Sequence, residues 1–497
     1  MKNILPIIGA FLLFSFLMSC NSNDPAPSGE DPITLDELIL ALTNNGNAKT
    51  WRIQSATLTN SSVTELPVSE AFNIKDDEFI FSANGSLPQL EFRGRNDFNA
   101  DATDFQSFLL DYYKSPIDLS LAVDPNDPSK FSALNGMEFT LQENTIIGQW
   151  TIEQNSTLSF SLITKSSEDY LTPPSSLNFQ EVVQIPTEYN FYENSSSVDI
   201  LASQSNNSIY MIYSTDDFPN PIPNASQRAE GVVRYDLNTN QFNFNIFHNQ
   251  DFFTKRAWIS NNKLKVLGSQ AINTYNDLSI PGDPDDSFYY NLYENGGFFY
   301  VRHDIVIVDD LIYIMGGSLD AEDNPDVPQD YFDEILTYNE VSQELNEVAN
   351  LPDTKSMAAV EIVDGKIYLF GGSAEFAMYE TAESVSYIYD IETNSISSFN
   401  LPQPLAITYA VAVENLIYVG GTIVTVTPDE FNDFDIYFGV YDTLTGQFTE
   451  LPHNLDDSNL GSRLSGITYY NGTLYAIYQN GTDFVNEEYY LMAMDLQ

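Results

Sequence analysis

The sequence predicts an all-β chain, a six-bladed β-propeller preceded by a small β-barrel domain. Three observations predict it. A short apolar strand carrying a Tyr or its equivalent recurs six times through the C-terminal two-thirds of the chain. Thirty Tyr and 33 Phe supply residues that favour pleated, half-buried strands. Helical periodicity is confined to one short stretch near the N-terminus.

The 497 residues are 43% hydrophobic, enough for a sizeable core. Lys and Arg number 19 against 71 Asp and Glu, a formal net charge of −52. Such a chain repels nucleic acid, and no nucleic-acid partner is expected. The single cysteine excludes structural disulfides, Cys-rich zinc sites and paired-thiol redox chemistry.

Residues 1–19 read as a secretory signal. Met1 and Lys2 precede an apolar run from Ile4 to Met18, shorter than the ~20 residues a membrane span needs. The run ends in Leu17-Met18-Ser19-Cys20. These four residues resemble the lipobox of bacterial lipoproteins, which implies cleavage before Cys20 and acylation of that residue. Several acyl chains anchor firmly, so the membrane is an expected partner through Cys20. Residues 20–32 form an acidic, flexible tether. Asn21 differs from the Asp that retains such lipoproteins in the inner membrane, so the resemblance implies the cell outer membrane.

Residues 33–170 open with a capping box, Thr34 and Glu37, with Ile33 and Leu38 placed as a hydrophobic staple. Leu35, Leu38, Ile39 and Leu42 follow helical spacing, and Asn44-Asn45-Gly46 stops the helix. The period then changes to two, in strands around Trp51, 78–81, 90–92, 137–141, 146–152 and 158–163. With Lys49-Thr50-Trp51-Arg52 and Gly148-Gln149-Trp150-Thr151-Ile152, this pattern resembles the small lipocalin-like domains of bacterial lipoproteins. The resemblance implies a barrel that either holds a small apolar ligand or is filled by its own side chains.

Residues 177–497 carry the repeat. Ile312-Tyr313-Ile314-Met315-Gly316-Gly317 recurs as Ile367-Tyr368-Leu369-Phe370-Gly371-Gly372 and, one residue shorter, as Ile417-Tyr418-Val419-Gly420-Gly421. Weaker copies start at Ile209, Leu264 and Leu474, giving spacings of 55, 48, 55, 50 and 57 residues. A second strand follows, ending Tyr235-Asp236, Tyr338-Asn339, Tyr389-Asp390 or Tyr441-Asp442. The double glycine, the downstream Tyr-Asp and the spacing closely resemble the kelch repeat, which implies six four-stranded blades around a channel. The double glycine is expected to end the second strand in a tight turn. The last copy stops after its third strand, so residues 177–186 are expected to supply the fourth and close the ring.

Neither metal nor cofactor is expected. The copper radical chemistry of some kelch propellers needs a Tyr–Cys crosslink, and the only Cys is Cys20. The three His lie in different blades without ligand spacing. The notable distribution is basic. From 177 to 497 there are ten Lys and Arg against 48 Asp and Glu. Five of the ten, Lys255, Arg256, Arg302, Lys355 and Arg463, lie 8 to 12 residues before a repeat motif, in the loop entering the innermost strand. His303 belongs with them. These six are the candidate binding residues at the channel mouth. Either they are scaffold, paired with acids such as Asp304, or they meet an anionic ligand, for which Arg offers a two-pronged fork. No catalytic set stands out.

Three readings of function follow. The first is a lipid-anchored binding protein presenting a monomeric propeller to a glycan or protein, including an acidic one. The second is an enzyme like the bacterial kelch propellers that act on sialic acids as mutarotases. The third is a structural subunit of an envelope complex.

Overall fold

The computed structural model describes residues 33–496, apart from interruptions of which the longest are 94–117, 216–228, 187–198 and 321–331. Cys20 lies outside the described residues. Among the described residues no helix is long and apolar enough to cross a membrane.

The N-terminal helix, Leu35–Leu42, begins as its sequence dictates. The Thr34 N–H donates to Glu37 Oε2 (2.7 Å) and the Glu37 N–H to Thr34 Oγ1 (3.2 Å). Leu38 and Leu42 are fully buried against a barrel. Its long first strand, Lys49–Thr59, pairs antiparallel with Glu78–Asn84 on one side and Ser156–Thr164 on the other. The intervening strands pair in sequence order, so eight strands close and only the two-residue Leu66–Pro67 hangs outside the ring. Closure leaves the barrel strands without a long free edge. Trp51, Phe79, Phe81, Phe131, Phe139 and Phe160 fill the interior in edge-on and stacked pairs. Gly148 permits this packing, since a Cβ there would lie 2.2 Å from the Phe160 ring.

Six four-stranded antiparallel sheets follow, the blades of a propeller. Their innermost strands are Asp199–Ser203, Arg256–Ser260, Asp304–Val308, Ala359–Val363, Ile407–Val413 and Arg463–Tyr470. Each repeat motif forms the second strand of its blade. The downstream Tyr-Asp ends the third strand, and both residues shape the turn to the fourth. Asp236 Oδ1 accepts from the Asn238 and Thr239 amides, and Asp390 Oδ1 from the Thr393 amide. The Tyr235 and Tyr389 hydroxyls lie 3.0 and 3.1 Å from the Oδ1 atoms of Asn240 and Asn394, which hold positive φ.

The double glycines do not all do one job. Gly316 and Gly317 follow the second strand with φ of 61° and 114°, and Gly371 and Gly372 with 58° and 87°. Gly420 and Gly421 instead sit inside an eleven-residue strand, Leu416–Val426, and turn nothing. There the missing Cβ makes room for a neighbour, since at Gly420 it would lie 2.3 Å from Leu464 Cδ2 of the next blade.

The sixth blade takes its fourth strand from Gln180–Gln184, antiparallel to Glu487–Asp495. Two Asn side chains clip the chain on its way there. Asn415 exchanges hydrogen bonds with the Leu171 N–H (3.0 Å) and C=O (3.1 Å), and Asn454 with the Phe179 N–H (2.8 Å) and C=O (2.9 Å). Leu177 and Phe179 are buried in the core between blades five and six.

Candidate functional site

The two faces of the propeller differ. Strands one to two and three to four are joined by two to four residues, except for the ten residues 276–285. Several of these turns carry left-handed residues, Asn207, Asp364, Glu414 and Asn471 among them. The other face holds the links from strand two to three and from one blade to the next. Eight of those twelve run to eight residues or more. Two of them pair as Phe299–Val301 with Ser318–Asp320. Long connections on a rigid scaffold are where binding residues concentrate. The chain from the barrel reaches the propeller on the opposite face, at the Asn415 turn.

Register places six equivalent residues at one level of the channel. Asp199, Arg256, Asp304, Ala359, Tyr409 and Gly466 each pair with the residue three places into their own repeat motif. All but Ala359 line one cavity of about 210 Å³, joined by Glu361 two residues further along blade four. The site is polar where the repeats are apolar.

Its charges form a chain across four blades. Asp199 Oδ2 accepts the Ala257 amide of the next blade at 2.6 Å. Asp304 Oδ2 accepts the Val360 amide, again of the next blade, at 2.8 Å. Between them, Arg256 Nε lies 2.5 Å from Asp304 Oδ1. Two carboxylates thus share one guanidinium, and Glu361 lines the same cavity. Burial pushes the Asp199 carboxyl up to about 6, with Arg256 opposing and the Asp304 charge adding to the rise. Burial also raises Asp304, against the pull of Arg256. It carries Glu361 furthest, to about 8, helped by the charges of Asp304 and Asp199. Burial works against the charge on Arg256, yet the carboxylates of Asp304 and Asp199 outweigh it and raise its pKa.

The candidate binding residues separate into groups. Arg256 opens the innermost strand of blade two and is committed to Asp304. Lys355 has a fully buried side chain whose Nζ donates to Glu383 and to the Val385 carbonyl. Arg463 opens the innermost strand of blade six, opposite Gln479, and is half-buried. Lys255, Arg302 and His303 lie outside the described residues. Among the described residues no group of three or more His, Cys, Asp or Glu is arranged to hold a metal ion. Sequence reasoning missed Asp199, Glu361 and Tyr409, and met Asp304 only as a pairing acid. The available signal was a charged residue eight places before the motif in Arg256 and Asp304, and ten before it in Asp199.

The fourth blade carries a recognised repeat. Residues 354–395 carry a Kelch motif. This kelch stretch runs from the loop before the innermost strand to the start of the outermost. The Kelch-like protein terF of Aspergillus terreus is 29% identical over 157 residues, 30% of this chain. The match spans about a third of that relative's length, 33%. Among solved structures, YjhT aligns with 61% of this chain and 95% of its own at 12% identity and a TM-score of 0.41.

Proposed function

We propose that this protein is a binding protein of the cell envelope, anchored through acylated Cys20 in the outer membrane, whose kelch propeller captures a glycan or protein ligand on its long-loop face. The observation that carries this reading is the division of the propeller into two faces. Long connections gather where the channel opens beside Asp199, Arg256 and Asp304, while the chain from the barrel, and so from the anchor, arrives on the tight-turn face. The binding face then points away from the point of attachment. The barrel, packed with aromatic side chains, serves as a spacer in this reading. In this reading an acidic ligand is met by the candidate residues Lys255, Arg302, His303 and Arg463, while Arg256 and Lys355 hold Asp304 and Glu383 within the scaffold.

Two measurements test it. Radiolabelled palmitate is expected to enter the wild-type chain and not Cys20→Ser, and absence of label from the wild type contradicts the anchor. A glycan array probed with the full chain is expected to show binding that falls on Arg463→Ala. A fold of this kind also serves as an enzyme, and one observation favours that second reading. Glu361, held near 8 by burial and by the charges of Asp304 and Asp199, is able to give and take a proton near neutrality. Faster exchange between sialic acid anomers by NMR on adding the protein, lost in Glu361→Gln, would establish a mutarotase-like activity.

A further inference from the structure

We infer that the channel contains a proton-operated lock, in which departure of the proton held by Glu361 loosens the stitch that Asp199, Arg256 and Asp304 make between blades one to four. The inference concerns the scaffold and does not depend on which ligand the propeller binds.

The geometry carries it. The stitch consists of two side-chain-to-amide bonds and one ion pair, each crossing from one blade to the next. Its last link ends on the Val360 amide, and the next residue is Glu361. Glu361 therefore sits directly beyond the bond that Asp304 makes, in the same cavity. The groups facing it from each blade are few. Blade one contributes Asp199, blade two Arg256, blade three Asp304, and blade five Tyr409 and the Ala412 amide, which with the Ile362 amide donates to the Glu361 carboxyl, while blade six contributes Gly466, Ile467 and Thr468, none of which titrates in this range. The single guanidinium is already held against Asp304 at 2.5 Å. A charge on Glu361 adds a third carboxylate to a set with one cation, in a channel where desolvation magnifies repulsion. Relief comes from water entering, or from Arg256 swinging towards Glu361. Either change weakens its hold on Asp304.

The direction of the pH effect follows. The folded state binds this proton more tightly than the unfolded chain does, because the ordinary Glu value of 4.5 is raised on folding. The stabilisation is complete below that ordinary value and is lost as pH rises through about 8. Asp199 adds an earlier loss of the same sign, ending near 6.

Trp258 provides a local reporter. It is the propeller's single tryptophan and lies two residues from Arg256 in the same innermost strand. The test is a pH titration of the full chain from 6.5 to 9.5, following Trp258 fluorescence and melting temperature together, with Trp258→Phe subtracted to remove the barrel tryptophans. The expected result is a fluorescence transition with its midpoint near 8 and a melting temperature that falls from pH 6.5 and levels off above about 8, both abolished in Glu361→Gln, which becomes the more stable form above it. In Asp199→Asn, which keeps the oxygen that accepts the Ala257 amide, the midpoint is expected to fall because a repelling carboxylate is gone. A wild type that does not titrate, or a transition that survives Glu361→Gln at the same midpoint, overturns the lock. If Glu361→Gln does not fold, an unmoved midpoint in Asp199→Asn overturns it instead.

Discussion

A chain beginning at residue 190 is expected to lose most of the propeller's stability relative to one beginning at residue 171. The shorter chain lacks Gln180–Gln184, the fourth strand of the sixth blade. It also lacks Leu177, Phe179 and Ile185, each no more than 2% exposed. Removing large buried apolar groups costs about 2–5 kcal/mol apiece. Three of them approach the ~5–15 kcal/mol by which a folded domain exceeds its unfolded state. The truncated chain would also leave Glu487–Asp495 as an unpaired edge, a template for aggregation. Thermal melting and gel filtration of the two chains check this. Equal melting temperatures would mean that the ring holds without its closing strand.

The second large effect is expected at Arg256. In Arg256→Met the carboxylate of Asp304 loses its cation in a site where the two side chains are only 13% and 11% exposed. Stranding a buried charge in this way costs about 3–5 kcal/mol. Asp304→Asn added to the same chain is expected to recover most of the loss, because Asn keeps an oxygen for the Val360 amide and removes the stranded charge. Urea denaturation of the single and double variants measures both terms. A loss below ~1 kcal/mol in Arg256→Met would place the pair in the class of solvated surface ion pairs.

The blades were legible because their signal is local. An apolar strand, a double glycine and a Tyr-Asp lie within one repeat, and each has a physical reason within that repeat. Even there, Gly420 and Gly421 are misread, because a glycine that clears space for Leu464 looks the same in sequence as one that makes a turn. The helix start was equally legible, since Thr34 and Glu37 bond across three residues. The channel was not. Asp199 and Asp304 are isolated acids in sequence, and become equivalent only when register places them at one level of the axis. Lys355 and Arg256 stand out by position, yet nothing local tells that Glu383, 28 residues on, and Asp304, 48 residues on, are their partners. Asn415 and Asn454 read as turn residues, and their hold on the backbone at Leu171 and Phe179 spans 244 and 275 residues.

The claim that ties fold to function is that the long-loop face recognises the ligand. The most direct measurement is binding of the full chain to an array of glycans and acidic peptides, with one variant on each face run in parallel. Arg463→Ala alters the mouth, and Leu444→Ser alters an exposed residue of a tight turn on the opposite face. The account predicts at least about tenfold weaker binding for Arg463→Ala, the effect of losing a charged hydrogen-bonded contact, and unchanged binding for Leu444→Ser. Binding that ignores Arg463→Ala, or that is lost with Leu444→Ser, would contradict it.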